Sequence, residues 1–343
     1  MKLLIITQIV DVADSDLGFF HNWIKKIAAR VDHLYVICLQ KGTIDLPNNV
    51  TVLSLGKEQG VGTFVYLRRF YGYVWRLRKE YNGVFVHMNP EYVVLAGWLW
   101  WWWHKKVGLW YVHKSVTSTL RVAEKLVTKI FTTSAESFRL PSKKVQLVGH
   151  GIDVQEFAQV PEIKTGSDLQ LLSIGRISVS KNHKTIIEAV AKLKKERPER
   201  AVSLTIVGAA ITSTDERYLA ILQDLVKELH LDREVTFVGG VDRTALVAYL
   251  AQSNVFVHAS ETGSMDKVVL EALAANRVVI SSSSAYSEAV ELGLIIPFIP
   301  GDAQDLARKI TSMPIHTNHK GFAYIKEKHN LDTLIEKIIT YFV

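Results

Sequence analysis

The sequence predicts an α/β protein made of doubly wound parallel sheets, and three observations carry that expectation. Short apolar runs of strand length alternate with longer segments whose apolar residues recur at helical spacing. The alternation stops at a polar stretch from Glu156 to Asp168, holding Pro161 and Gly166, and then begins again. The length, 343 residues, exceeds what one core comfortably fills, so two domains are expected, 1–157 and 168–320. The apolar content of 48% and charged content of 22% are those of a soluble globular chain.

Lys2 to Ile9 reads as a buried strand, Asp11 to Gly18 as a polar loop, and Phe19 to Ala29 as a helix with Phe20, Trp23, Ile24 and Ile27 on one face. Leu34 to Leu39 and Val50 to Leu55 follow as strands. The N-terminal residues lack the long apolar core and small-residue cleavage site of a signal peptide, and read as a first strand. The single cysteine, Cys38, lies in an apolar run and excludes a disulfide frame, which agrees with a reducing, cytoplasmic compartment. Ligands of such sheets sit at the carboxyl ends of the strands, so the loop ending at Gly18 is placed to touch one. Its Asp14-Ser15-Asp16 triplet invites a metal reading, but short acidic triplets are common loop solvation and no metal site is expected.

The net charge of +7 is unevenly divided: residues 1–164 carry 21 Lys and Arg against 13 Asp and Glu, and residues 165–343 carry 20 against 21. A positive field confined to the first half points to an anionic partner there, nucleic acid or an acidic membrane surface. Val65 to Glu80 interleaves Arg68, Arg69, Arg76, Arg78 and Lys79 with aromatic residues, which suits a headgroup boundary, single-stranded nucleic acid or an ordinary surface helix. Tyr92 to Trp103 then reads YVVLAGWLWWWW, twelve residues against the roughly 20 that span a bilayer. Successive helical residues point about 100° apart, so Trp100, Trp101, Trp102 and Trp103 cannot all face one core. With Lys105 and Lys106 beside them, exposed indoles favour a monotopic contact with an anionic membrane over tight helix packing, and both over nucleic acid.

Val107 to Val112 is a strand leading to His113, which would point into a cleft at the strand's carboxyl end, although a lone histidine is more often structural. In the second half, Leu169 to Ile174 runs into Gly175-Arg176 and on to Lys181, two cations that would converge on a diphosphate or else be solvated charges. The run from Asn254 to Ser284 reads strand, small polar loop, helix, strand. A loop of this kind at a helix start offers free backbone N–H groups beside the positive end of the helix dipole, an anion site. Glu271, inside that helix and leaning toward its N-terminus, would accept two hydroxyls of a sugar beside the phosphate, or would simply be a solvated helix residue.

These stretches carry a resemblance. LLSIGRISVSKNHKTIIEA at 171–189, TFVGGVDRTALVAYLAQSNVFVHAS at 236–260 and the Glu271 helix followed by ANRVVIS resemble retaining glycosyltransferase family 4. LWYVHKS at 109–115, FTTSAESFRLPSKKV at 131–145 and GHGIDVQEF at 149–157 extend the likeness into the first half. The resemblance implies the GT-B fold, two Rossmann-like domains facing across a cleft, with helices at 321–343 crossing back to the first domain. It implies that Arg176 and Lys181 hold a donor diphosphate and that Glu271 accepts the ribose hydroxyls. Gly175 would belong to the same phosphate loop. Gly263, Ser264, Met265, Asp266 and Lys267 would present backbone amides to the phosphate and the transferred sugar. His113 matches the family histidine beside the hexose, and Gly18 the glycine-rich loop near donor and acceptor. The basic first domain would hold the acceptor, with Phe19, Arg68, Arg69 and the four consecutive tryptophans on the acceptor or membrane side.

Two departures touch sugar recognition. The family's second glutamate, eight residues before the ribose-binding one, is Gly263 here, and Glu261 would replace it only after a loop rearrangement; the usual paired glycines after the first strand are reduced to Leu17-Gly18. The expected function is hexose transfer with retention, without metal or cofactor, from a nucleotide-diphosphate sugar to a saccharide or lipid-linked acceptor on the inner membrane face, in envelope glycan or glycolipid synthesis. A retaining glycosidase would need two carboxylates roughly 5 Å apart, and none is evident here. A GT-B sugar-nucleotide epimerase and a non-catalytic membrane adaptor with a nucleotide pocket are the competing readings.

Overall fold

The structure, a computed structural model, describes every residue except 15–16, 135–136, 164–167, 262 and 264. The chain divides into two compact units, Met1–Gly151 with His329–Val343, and Ile152–Lys328. The first contains β1 (Lys2–Val10), α1 (Gly18–Ala28), β2 (His33–Lys41), β3 (Val50–Ser54), α2 (Thr63–Arg76), β4 (Gly83–His87), α3 (Pro90–Trp102), β5 (Lys106–Trp110), α4 (Ser118–Leu126), β6 (Lys129–Thr132) and β7 (Val145–Leu147). The second contains α5 (Val154–Phe157), β8 (Leu169–Ile174), α6 (His183–Glu196), β9 (Val202–Val207), α7 (Ser213–Glu228), β10 (Val235–Gly239) and α8 (Arg243–Gln252). It continues through β11 (Val255–His258), α9 (Lys267–Ala274), β12 (Val278–Ser281), α10 (Ser287–Glu291), β13 (Ile295–Pro297), α11 (Ala303–Ser312) and α12 (His319–Lys328), and α13 (Leu331–Phe342) then joins the first unit.

Both sheets are parallel throughout, ordered β3-β2-β1-β4-β5-β6-β7 and β10-β9-β8-β11-β12-β13. The order reverses beside β1 in one and beside β8 in the other, and such switch points are where α/β sheets bind ligands. Helices cover both faces, so the strands are near-continuous apolar runs. In β1, Leu3 and Ile5 face α1 and α13 while Leu4 and Ile6 face α2, α3 and α4; all four are fully buried. In the second unit Leu171 belongs to the core beneath α6, α7 and α11, and Leu172 to the core beneath α9.

The domain boundary expected at 157 lies instead at Gly151, because Phe157 and Val154 of α5 are buried in the second unit's core. The tail expected to cross back as a whole divides. Helix α12 stays with the second unit, where Ile325 is buried and a Cβ on Gly321 would lie 3.0 Å from Leu273 of α9. Helix α13 docks on α1: Leu334, Ile335 and Ile338 are buried, and Asp332 pairs with Lys26 and Arg30, both at 2.9 Å. Phe342 at its end fits because β4 opens with Gly83 and β5 carries Gly108 at its centre, since a Cβ at either would run into its ring.

Gly151 ends the first unit with φ of +71°, and a Cβ there would lie 2.6 Å from Trp23 and 3.1 Å from Leu334. Gly151→Ala should therefore cost about 1–3 kcal/mol. All eight tryptophans lie between positions 23 and 110, so their fluorescence reports unfolding of the first unit alone. The denaturation midpoint read by that signal should fall in the variant.

Candidate functional site

The loop after β8 passes Gly175 and Arg176 and ends in a short 3-10 turn, Val179–Lys181. Asn182 follows in the left-handed region and caps α6. Gly175 lies against Gly208 at the end of β9, so closely that a Cβ on Gly208 would overlap the Gly175 carbonyl. Backbone contact at the carboxyl ends of adjacent strands thus holds the loop that carries both cations.

Lys181 meets the N-terminus of α9. Its Nζ lies 2.5 Å from Asp266 Oδ2, and both side chains are about four-fifths buried (20% and 21% exposed). The same oxygen lies 2.8 Å from His258 Nε2, while His258 Nδ1 is 2.9 Å from Ser281 Oγ and the Tyr286 hydroxyl donates to the Asp266 carbonyl at 2.9 Å. Burial opposes ionisation of Asp266, but the His258 hydrogen bond and the Lys181 charge outweigh it and hold the carboxyl at about 2. The aspartate expected to contribute only its backbone therefore neutralises the lysine expected to bind phosphate. Arg176 is half exposed and lies 3.5 Å from Asp215.

Glu271 is buried (4% exposed) and not the solvated helix residue of the alternative reading. Arg243, the first residue of α8, reaches its Oε1 at 2.6 Å and also contacts Glu156 Oε2 at 2.7 Å, with its guanidinium 5.3 Å from the centroid of the Phe157 ring. Burial disfavours the Arg243 charge, yet the two carboxylates more than compensate and hold the guanidinium above its ordinary value. Burial leaves the Glu156 carboxyl above its ordinary value despite Arg243. Lys267, first in α9, is half-buried, and desolvation lowers its ammonium to about 7 against the opposing pull of Glu271.

Glu156 and Arg243 belong to this cluster but not to the sequence-derived site. Glu156 lies where a linker was expected, and Arg243 occupies an ordinary helix start. The only advance signal was Asp242 before it, whose side chain caps α8 by accepting from Ala245 N at 2.9 Å and so fixes where Arg243 begins the helix.

Of the loop after β11, Gly263 adopts φ of +60°, Met265 packs partly against the core beneath α9, and Ser264 lies outside the described residues. Glu261 is exposed; its N–H donates to the Ser180 carbonyl at 3.0 Å, and its carboxylate accepts from Asn182 Nδ2 at 2.8 Å. It is tied to the Lys181 loop.

In the first unit, His113 follows β5 and is exposed, with Nδ1 accepting from Ser115 N at 3.0 Å. Gly18 opens α1, and a Cβ there would lie 3.1 Å from the Val12 carbonyl oxygen. Asp14 accepts from Leu17 N at 2.6 Å; Ser15 and Asp16 of the acidic triplet lie outside the described residues. Among the described residues no group of three His, Cys, Asp or Glu could hold a metal ion. Phe19 is half-buried, edge-on to Trp23 and His87.

The tryptophans separate. Trp100 is fully buried and donates to the Tyr81 hydroxyl at 3.1 Å, so it is core and not surface. Trp103 is half-buried, edge-on to Trp75. Trp101 and Trp102 are 75% and 62% exposed, and Trp98, at i−3 and i−4 from them, shares their face at 53%. Arg68 is exposed, whereas Arg69 is half-buried and donates to the Leu55 carbonyl at 3.1 Å and to Gln59 at 2.9 Å, which makes it an anchor for the preceding loop. No described helix is long and apolar enough to cross a membrane.

Residues 154–319 match the family described as glycosyl transferases group 1. Among curated relatives, a Campylobacter jejuni N-acetylgalactosamine-N,N'-diacetylbacillosaminyl-diphospho-undecaprenol 4-alpha-N-acetylgalactosaminyltransferase is 28% identical over 146 residues, 42% of this chain and 36% of the relative. A Mus musculus GDP-Man:Man(3)GlcNAc(2)-PP-Dol alpha-1,2-mannosyltransferase is 28% identical over 150 residues, 42% of this chain and 30% of the relative. The chain thus spans about a third of the length of these relatives. HepE of Anabaena, solved with UDP, covers 99% of both chains with a TM-score of 0.77 at 18% identity, a likeness of fold that identifies the two-sheet architecture as GT-B. The match takes in nearly all of the second unit, cations, Asp266 and Glu271 included. Through that unit, the chain is similar to the glycosyl transferases group 1 family.

Proposed function

We propose that the chain is a retaining glycosyltransferase that moves a hexose from a nucleotide-diphosphate sugar to a saccharide or lipid-linked acceptor at the cytoplasmic face of a membrane, in envelope glycan or glycolipid synthesis. One observation carries the reading: the Lys181 ammonium sits at the N-terminus of α9, within two turns of the buried Glu271. Cation and helix dipole would together favour a diphosphate. Glu271, its Oε1 held by Arg243, would offer Oε2 to the ribose hydroxyls. The C. jejuni and mouse relatives are named for diphospho-undecaprenol and PP-Dol, and HepE was solved with UDP, which supports a nucleotide donor and a lipid-linked acceptor.

In this reading the bond from the anomeric carbon to the leaving diphosphate breaks on the face where the acceptor oxygen arrives, and the diphosphate takes the acceptor's proton. The protein's part is to position the groups and stabilise charge. Lys181 would leave Asp266 for the more highly charged diphosphate, with Arg176 supplying the second cation and His258 remaining to hold Asp266. This stabilisation needs no metal. His113 and Gly18 would serve the hexose and acceptor.

The membrane part rests on the exposed face of α3 together with that of α2, where Phe64, Arg68, Tyr71 and Trp75 recur at i, i+4, i+7 and i+11 and are all exposed. Large apolar rings beside arginines are the signature of a helix lying in the headgroup boundary.

The direct test is incubation with labelled nucleotide sugars and a membrane lipid extract. Label should enter the lipid fraction; free sugar or an epimerised donor as the sole product would overturn the assignment. Lys181→Ala should lower turnover about 10²–10³-fold with folding retained. Glu271→Gln should weaken nucleoside diphosphate binding about ten- to a hundredfold by titration, the loss of hydrogen bonds to a charged group. Trp101→Ala with Trp102→Ala should reduce sedimentation with anionic vesicles while leaving the melting temperature nearly unchanged, whereas Trp100→Ala should cost about 3–5 kcal/mol of stability.

A further inference from the structure

The first unit contains a cavity that none of these roles uses. Helices α2 and α3 run side by side in the same direction: the rings of Phe70 and Tyr92 are 5.3 Å apart, the Tyr71 hydroxyl donates to the Leu95 carbonyl at 3.0 Å, and Trp75 meets Trp103 edge-on. Toward their N-termini the two helices part and leave a space of about 350 Å³, within the small-molecule range of roughly 300–1,000 Å³. Its floor is Leu55, Phe70 and Tyr92, all buried, and Leu39, Leu67 and Leu95 form its walls. It opens at the carboxyl end of the sheet, beside Gln8 near the end of β1 and Asn89 just past β4, the end where an α/β sheet takes its ligands.

We infer that this cavity binds an apolar chain, the lipid part of the acceptor. Three features select a chain over a saccharide. Leucines and aromatic rings make up seven of its eleven lining residues, the others being Gln8, Thr63, Asn89 and Glu91. Gln8 Nε2 donates to Asn89 Oδ1 at 2.7 Å and Asn89 Nδ2 donates to the His87 carbonyl at 3.0 Å, so part of the hydrogen bonding of these amides is already committed within the protein. The rim residue Thr63 adjoins Phe64, 80% exposed, on the helix that also carries Arg68 and Trp75, so one helix supplies both the cavity rim and the exposed aromatic face. A chain leaving a bilayer there would keep apolar contact along its route, with arginines nearby for an anionic head group. The inference rests on the proposed transferase function only for what the chain carries.

The test uses n-alkyl β-glucosides from hexyl to nonyl, each below its micelle-forming concentration, titrated into the full chain without nucleotide. Affinity should rise about three- to fourfold per added methylene. Leu67→Trp and Leu95→Trp, which fill the cavity from its two helices, should abolish that dependence, while Trp101→Ala should preserve it. Absence of binding, or glucose binding as tightly as nonyl glucoside, would overturn the inference, the second result marking a saccharide site. An unchanged length dependence in both filled variants would overturn it too, placing the chain elsewhere. UDP-induced thermal stabilisation, measured separately, checks folding of the variants. Loss of UDP binding with an intact chain-length dependence would count against the transferase reading alone.

Discussion

The candidate site depends on one buried electrostatic arrangement, Arg243 held between Glu156 and Glu271. Taking three charges out of water is costly, and such a cluster is seldom kept for stability alone, since apolar replacements of similar volume are often neutral or better. What it provides is a carboxylate held in one orientation inside the second unit's core. Lys181 is held in a comparable way, its ammonium against Asp266 at the N-terminus of α9, with the same carboxylate oxygen also meeting His258.

Much of the fold was legible because parallel sheets write themselves plainly. Fully buried strands such as LLII at 3–6 and GVFVH at 83–87 have no polar face to blur them, and their alternation with amphipathic helices leaves few topologies. Helix α11 carries its signal as plainly, with Ala303, Leu306, Ala307 and Ile310 at i, i+3, i+4 and i+7, all buried. Helix α4 does not: nine residues long, it buries only Leu120 and Ala123. The unit boundary was misplaced because α5 is a single turn, too short for periodicity, and its membership depends on Phe157 finding a distant core. Nothing local distinguishes α12 from α13 in destination, since both are amphipathic and each follows the surface that accepts it.

For the site, the sequence singled out Arg176, Lys181 and Glu271 as candidates but not their partners. Arg243 lies 28 residues from Glu271 in sequence, and the contact exists only after both helices pack. Asp266 pairs with Lys181 across 85 residues for the same reason. The tryptophans show the limit from the other side: helical geometry requires that four in a row diverge, but which one turns inward is decided by Tyr81, whose hydroxyl receives the Trp100 N–H.

The docking of α13 on α1 also sets an order of events during synthesis. Strands β1 to β7 leave the ribosome first, yet the helix that covers Ile24, Ile27 and the glycines of β4 and β5 lies beyond about 180 further residues, on the order of 10–40 s at typical elongation rates. Until then the nascent first unit carries an uncovered apolar surface, while Ile152–Lys328, continuous in sequence, can complete its own core. The core of the first unit is thus closed only after α13 has been made, later than the unit that interrupts it.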